Sequence, residues 1–296
     1  MPGVTGRLIF GRKAKAKMMT TGEAVRYLRE SPQHTRLIRD AYLGEDVQEA
    51  AERFLASAEF ADARALLGDG FQGGKVLDLG AGVGIASYAF AQSGAQIVYA
   101  LEPDASEVVG RGAISRLQNA AADIELLEAF GEEIPLPDNE LDVVYTRQVL
   151  HHTRDTGQVL RECARVLKSG GKFLACREHV VESEDELKTF LEQHPIHRLA
   201  GGEHAFPLDA YVSAITSAGL RVEKILGPWD SLINAFPEVR TNDELERLPQ
   251  KILAGKFGHA VGAVAVSLPG VKNFIWKRVK SQTPPGRMYS FLASKP

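Results

Sequence analysis

The sequence predicts an α/β fold, an open and mostly parallel sheet with helices on both faces. Three observations predict it. Seven short apolar runs, at 75–79, 96–101, 123–128, 141–146, 172–177, 221–226 and 288–293, are spaced as strands. Most are apolar throughout rather than alternating, as strands covered on both faces are. Helical segments separate them, and strand–helix alternation is the pattern of parallel crossovers.

The elements follow in order. Residues 1–17 carry Arg7, Arg12, Lys13, Lys15 and Lys17 without an acid, a basic tail. Residues 20–67 read as helices, with Val47, Ala51, Phe54, Leu55, Ala58, Ala61 and Ala65 on one face and Glu49, Glu52, Arg53 and Glu59 largely off it. Tail and helices together make a cap over 1–70. Asp104 with Glu107 starts a further helix running to about Asn119. The stripe Val159, Leu160, Cys163, Val166 and Leu167 stops at Gly170-Gly171, a helix terminator. The core then spans 71–228, with one insertion at about 180–208. A second, helical insertion covers 229–285, and a last strand lies within 286–296. Ligands of such sheets bind beyond the carboxyl ends of the strands, so insertions leaving that edge are expected to form a substrate lid.

Composition narrows the class. The 296 residues are 44% apolar and 25% charged, with a net charge of −3, as in a soluble globular protein. No basic, aromatic-studded face marks a nucleic-acid binder. Only "LIF" follows the first charges, and the run at 260–271 is too short to span a bilayer, so a cytoplasmic protein without a transmembrane segment is expected. Cys163 and Cys176 sit inside apolar patterns and read as buried thiols. No CxxC or HExxH spacing occurs, and His194, His197 and His204 form no i, i+4 pair, so no metal is expected. The acid-free stretch 250–282 mixes apolar residues with lysines. It reads as a helical lid or homo-oligomer contact, with peripheral membrane contact as the alternative.

The stretch "VLDLGAGVGIAS" carries the chemistry. A strand, a glycine turn and a helix let backbone approach a nucleotide cofactor closely. Dinucleotide binders place a third glycine where this chain has Ile85, after Gly80, Gly82 and Gly84. Asp78 precedes the turn, and "YALEPD" sets Glu102 at the end of the second strand, where a carboxylate can accept both hydroxyls of a ribose.

These residues resemble a known family, the class I S-adenosylmethionine-dependent methyltransferases, of the small-molecule, methyltransferase-11 kind. "DLGAGVG" and "ALEPD" resemble its first two motifs. "EAFGEEIPLPDNELDVVYTRQVLHHT" resembles the third and fourth, and "VLKSGGKFL" the turn into the fifth strand. The resemblance covers about residues 74–178. It implies a Rossmann-like seven-stranded sheet whose last strand, "RMYSFLAS", runs antiparallel. It also implies S-adenosyl-L-methionine as cofactor, leaving S-adenosyl-L-homocysteine. Gly80, Ala81 and Gly82 would line the methionine part, with Asp78 holding its amino group. Glu102 would bind the ribose, and Pro103 would lie beside the adenine. Many relatives have an aspartate where Phe130 stands. Phe130 would then cover the adenine face and the amides near Gly131 would meet the ring, with Glu128 as an alternative acceptor. Thr146 and Arg147 would lie at the methionine end, Arg147 pairing with the cofactor carboxylate.

The acceptor expected is a polar small molecule; the histidine and carboxylate candidates at the sheet edge favour methylation at oxygen, with a nitrogen or carbon acceptor open. Candidate bases cluster at strand ends. "LHHT" offers His151 and His152, a pair for which a structural role is favoured but of which His152 is kept as a candidate, and "CREHV" offers Glu178 and His179. Arg177 would hold an anionic group of the acceptor, and His204, in "HPIHRLAGGEHAF", would join the acceptor site. A non-catalytic cofactor-binding protein or partner subunit is the alternative reading, followed by a methyltransferase acting on a lipid-linked or glycan acceptor at the membrane surface.

Overall fold

The computed structural model describes residues 18–117, 123–258, 268–282 and 284–296. Seven strands form one sheet: β1 (Lys75–Leu79), β2 (Ile97–Leu101), β3 (Ile124–Leu127), β4 (Leu141–Arg147), β5 (Leu167–Val180), β6 (Arg221–Leu226) and β7 (Arg287–Ser294). Their order is β3-β2-β1-β4-β5-β7-β6. β1 pairs in parallel with β2 and β4, β2 with β3, and β4 with β5, whereas β7 runs antiparallel between β5 and β6. Strand order reverses between β1 and β4, and the crevice at their carboxyl ends is where such sheets take ligands. All seven strands read from the sequence are present.

Each face carries its own core. On one, Phe54, Phe60, Phe90 and Tyr145 pack edge to face or tilted, with centroids 5.2–5.3 Å apart. They join the cap helices α3 (Val47–Leu55) and α4 (Ala58–Leu67), which follow α1 (Thr21–Arg29) and α2 (Thr35–Asp40), to α5 (Ile85–Gln92) and the sheet. On the other face, Leu77, Val144, Phe173 and Phe291 pack with residues of α7 (Thr156–Val166) and α10 (Leu208–Ser217).

Three boundaries differ from the sequence reading. The single apolar face across 47–65 breaks at Ala56–Ser57, where Ser57 Oγ accepts from Phe60 N at 3.1 Å and caps α4. The break resets the helical phase, so Ala61 and Ala65 are exposed and Glu59 is buried. The helix expected from Asp104 is a loop followed by the short α6 (Arg111–Ile114). Asp104 Oδ1 accepts from Ser106 N at 2.8 Å and Ser106 Oγ from Val108 N at 3.1 Å, local turns that compete with helix. Its expected end at Asn119 lies outside the described residues. Finally, α7 stops at Val166, not at Gly170. The carbonyls of Arg165 and Val166 accept from Asn139 N and Glu140 N, and Leu167 already pairs with Leu141. Gly170, at φ +79°, turns the chain within β5.

The insertions are helical. α8 (Glu184–Gln193) and α9 (Pro195–Ala200) fill the first, and α9 packs on α1. α11 (Leu232–Ala235), α12 (Asn242–Glu246), α13 (Leu248–Phe257) and α14 (Val271–Lys280) lie in the second. α14 buries Val279 and exposes Phe274. The basic tail 1–17 and the alanine–valine run at 260–267 lie outside the described residues. Among the described residues no helix is long and apolar enough to cross a membrane. Cys163 and Cys176 are buried free thiols.

Candidate functional site

The glycine turn is built for close approach. Gly80 sits at φ +68°, and a Cβ there would come within 2.6 Å of Val149 Cγ2, so both conformation and contact require glycine. Gly82 is also left-handed, at φ +57°, but a Cβ built on it meets nothing within 4 Å. The backbone therefore borders open space at the carboxyl ends of β1 and β4.

Two carboxylates flank that space. Glu102, buried at the end of β2, accepts from Gly82 N at 2.8 Å and Asp104 N at 2.9 Å. Those bonds lock the side chain and leave lone pairs on both oxygens. Burial raises its pKa despite them. Asp78 accepts from Ser87 Oγ at 2.6 Å, tying β1 to α5, and burial pushes it up to about 6. Thr146 Oγ1, in β4 beside Leu79 of β1 in the register, is buried without a hydrogen-bond partner among the described residues. An open glycine turn, a locked carboxylate and an orphaned hydroxyl are a donor set that fits a nucleoside cofactor with an amino-acid tail.

Further along, Phe130 is 51% exposed and the Arg154 guanidinium lies 4.7 Å from its ring centroid. Gly131 packs against Leu79 and Val159, 3.1–3.3 Å from a built Cβ. Pro103 O accepts from Arg111 Nη1 at 2.7 Å, and Arg111 pairs with Glu128 at 2.8 Å, so Glu128 already has a cation.

Arg147 and Arg177 have partners that the sequence reading did not supply. Arg147 Nε and Nη2 reach the two oxygens of Glu59 at 2.6 and 3.3 Å, and its Nη1 donates to Gln148 at 3.0 Å. Burial opposes the Arg147 charge, but Glu59 outweighs it and raises the pKa. The fork expected to meet a cofactor carboxylate thus meets one from the cap. Arg177 Nη1 donates to the carbonyls of Ile233 at 2.5 Å and Phe236 at 2.8 Å, and its Nε lies 3.9 Å from Glu59. Instead of standing free for an acceptor, its Nη1 anchors α11 and the turn after it to β5. A cavity of about 260 Å³ adjoins this group, lined by Arg39, Tyr42, Arg53, Glu59, Phe236 and Arg240 among others.

A bulge explains how neighbouring residues of β5 serve different faces. The β5–β7 register shifts between Ala175 and Glu178, and Arg177 sits there at φ +62°. Glu178 accepts from Val149 N and Leu150 N, both at 3.1 Å, from His151 N at 3.3 Å, and from His151 Nδ1 at 2.7 Å. Burial penalises its charge, yet His151 and the amides hold its pKa below the usual range. A carboxylate so occupied is a poor proton acceptor. It organises the turn after β4, and the sequence expectation of Glu178 as a base is corrected accordingly.

The same turn opens a histidine cluster. Burial disfavours the His151 cation, but Glu178, with Glu203 behind it, lifts its pKa to about 9. His151 Nε2 and His152 Nε2 stand 3.6 and 3.5 Å from Glu203 Oε2, and His194 Nδ1 stands 3.6 Å from Oε1. His179 Nδ1 bonds Gly286 O at 2.8 Å, and its ring packs against His151, Phe190 and His194. Burial and the His151 charge push His179 down to about 3. His152 is also lowered, by burial first and His151 second. His204 lies outside the cluster, its ring against Phe206 and its Nδ1 buried without a partner.

Sequence reasoning missed Glu59, Glu203 and the pairing of His151. Glu203 had a legible signal. Gly201 and Gly202 both take φ above +70°, a turn that brings the insertion back and sends Glu203 inward, 7% exposed. Glu59 had none, because its burial depends on where the cap helix breaks.

Comparison with known proteins adds independent findings. Residues 77–175 match the family model described as a methyltransferase domain. The chain is 34% identical over 176 residues to a dimethylglycine N-methyltransferase of Parasynechococcus marenigrum, covering 60% of this chain and 61% of that one. It is 37% identical over 106 residues to a ubiquinone biosynthesis O-methyltransferase of Pseudomonas aeruginosa, covering 35% and 44%. The matches thus span about half to three fifths of these relatives' length. A solved geranyl diphosphate methyltransferase in complex with SAM shares the fold, with TM-score 0.53 at 14% identity over 86% of this chain and 94% of that one.

Proposed function

Residues 77–175 form a class I S-adenosylmethionine-dependent methyltransferase domain, and from that premise we propose that the whole chain methylates a hydroxyl oxygen of a polar small molecule. The observation that carries the reading is Glu102, locked by Gly82 and Asp104 beside an open glycine turn. When bound, S-adenosylmethionine supplies an electrophilic methyl group on a leaving group that needs no acid.

In this reading Glu102 receives the ribose hydroxyls, Gly80, Ala81 and Gly82 border the methionine part, and Asp78 and Thr146 answer its polar groups. Pro103, Phe130 and Gly131 hold the adenine end. Alignment and water exclusion contribute most, of order 7–11 kcal/mol for a well-oriented pair. The acceptor sits toward the histidine cluster. His179 has its Nδ1 committed to Gly286 O and stays neutral through the physiological range, so its Nε2 can accept a hydrogen bond that orients the hydroxyl, while the hydroxyl proton passes to solvent as the C–O bond forms and the C–S bond breaks. Glu178 acts at one remove, by fixing the turn that carries His151 and His152.

Calorimetry with S-adenosylmethionine and S-adenosylhomocysteine tests the cofactor half, followed by release of the demethylated product with panels of hydroxyl and amine acceptors. Saturable binding with turnover on hydroxyl compounds is the expected result, and failure to bind either nucleoside would sink it. A nitrogen acceptor is the second reading, favoured by the likeness to a dimethylglycine N-methyltransferase; turnover confined to amines would establish it. Binding without turnover on any acceptor would leave a cofactor-binding protein or partner subunit.

A further inference from the structure

Five side chains from four separate segments meet at the carboxyl edge of the sheet. One donor atom each from His151, His152 and Glu203 lie within 4.8 Å of one another, and the same holds for His179, His194 and Glu203. The sequence offered no metal spacing because no single helix supplies the set. Tertiary structure does.

The second partner of each ring is the informative detail. His151 Nδ1 is bonded to the Glu178 carboxylate at 2.7 Å, His152 Nδ1 to Gly202 O at 3.2 Å, and His179 Nδ1 to Gly286 O at 2.8 Å. Histidines that ligate metals characteristically donate one ring N–H to a carboxylate or backbone carbonyl, which fixes the tautomer and frees the other nitrogen's lone pair. The Nε2 atoms of His151 and His152 both face Glu203 Oε2, where a bound ion would take the place of the proton that His151 holds between Glu178 and Glu203. These contacts stand at 3.5 and 3.6 Å, with Glu203 nearly buried. Donors of a tetrahedral ion with bonds of 2.0–2.1 Å are separated by roughly 3.3 Å.

We propose that His151 Nε2, His152 Nε2 and Glu203 Oε2 bind one divalent cation of the zinc class. Two imidazoles and a carboxylate suit zinc, cobalt or nickel rather than magnesium or calcium, which prefer all-oxygen sets. Three protein donors leave a coordination position for water or a ligand oxygen. His194 Nδ1 flanks the other oxygen of the Glu203 carboxylate, 3.6 Å from Oε1. The proposal goes beyond the methyl-transfer reading and does not depend on it.

The test uses the full chain stripped with a chelator, titrated with zinc chloride by calorimetry and with cobalt(II) by absorbance. The expected result is one equivalent bound, with the visible bands of four- or five-coordinate cobalt and no thiolate charge-transfer band. Glu203→Gln and His152→Ala should each weaken zinc at least 10-fold. Glu178→Gln, which alters the second partner of His151 and the acceptor of the Val149, Leu150 and His151 amides, should weaken it about 10–100-fold. His34→Ala and millimolar magnesium should change nothing. No saturable zinc uptake by the unaltered chain, or equal affinity in Glu203→Gln and His152→Ala, overturns the site. Circular dichroism checks the fold of each variant, and the isosteric Glu203→Gln decides if the alanine variant is unfolded. S-adenosylhomocysteine binding is measured on the same samples. Nucleoside without zinc removes the metal site alone, and zinc without nucleoside removes the methyl-transfer reading alone.

Discussion

Glu59→Gln probes the ion cluster between the cap and the sheet. Glu59 is 1% exposed and receives Arg147 at 2.6 and 3.3 Å, with Arg177 Nε at 3.9 Å. Glutamine keeps the volume and one acceptor, but it leaves guanidinium groups only 11% and 5% exposed without that carboxylate. Removing one partner of a buried pair costs about 3–5 kcal/mol, most of it the stranded charge. An unfolding entropy of about 2.1 cal/mol/K per residue gives roughly 0.6 kcal/mol/K for a chain of this size, so Tm should fall by about 5–8 °C. Thermal and urea unfolding measure it. Adding Arg147→Met should recover part of the loss, because the stranded charge goes with it. Calorimetry with S-adenosylhomocysteine separates the two roles of Arg147. Unchanged affinity in folded Glu59→Gln leaves Arg147 a cap anchor, whereas tighter binding shows it released to the cofactor carboxylate. A stability loss under about 1 kcal/mol, or a double variant less stable than the single one, would refute the reasoning.

Three further predictions follow from the glycine turn. Glu102→Ala should lower S-adenosylhomocysteine affinity at least 10-fold by calorimetry, as both ribose contacts and the lock on Gly82 go; unchanged affinity removes the ribose assignment. Gly80→Ala adds a Cβ at positive φ against Val149, so binding should be lost and stability should fall by about 1–3 kcal/mol in urea. Asp78 carries a pH dependence. Its folded pKa of about 6 exceeds the usual 3.8, so its contribution is most favourable below about pH 4 and is lost as pH rises through 6. A rise from 3.8 to about 6 corresponds to about 3 kcal/mol. Asp78→Asn should therefore raise stability at pH 7 but not at pH 4, while weakening cofactor binding. Equal stabilisation at both pH values would show that burial does not set the shift.

The fold was legible because its signals are local. Short apolar runs, most of them continuous, marked all seven strands, and the glycine turn with Asp78 and Glu102 marked the cofactor edge, since closeness of backbone to ligand restricts residue type along one short segment. Helix ends were less legible. Asp104 reads as a helix cap, but its side chain closes a turn on Ser106, and Gly170 terminates nothing because Asn139 and Glu140, just before β4, already take the last carbonyls of α7. Of the acceptor-site residues, His152 and His179 fall in one cluster, Glu178 serves the turn beneath it, and Arg177 serves α11.

By itself, then, the sequence determined the order of strands and helices, the glycine turn and the carboxylate facing it, all set by backbone preference and hydrophobic period within some thirty residues. Tertiary structure alone decided what each charge meets. Glu59 finds Arg147 across 88 residues, and Glu203 finds His151 across 52. Those pairings depend on how the cap breaks, where β5 bulges and how Gly201–Gly202 turn, and a buried charge takes whatever partner that packing leaves within reach.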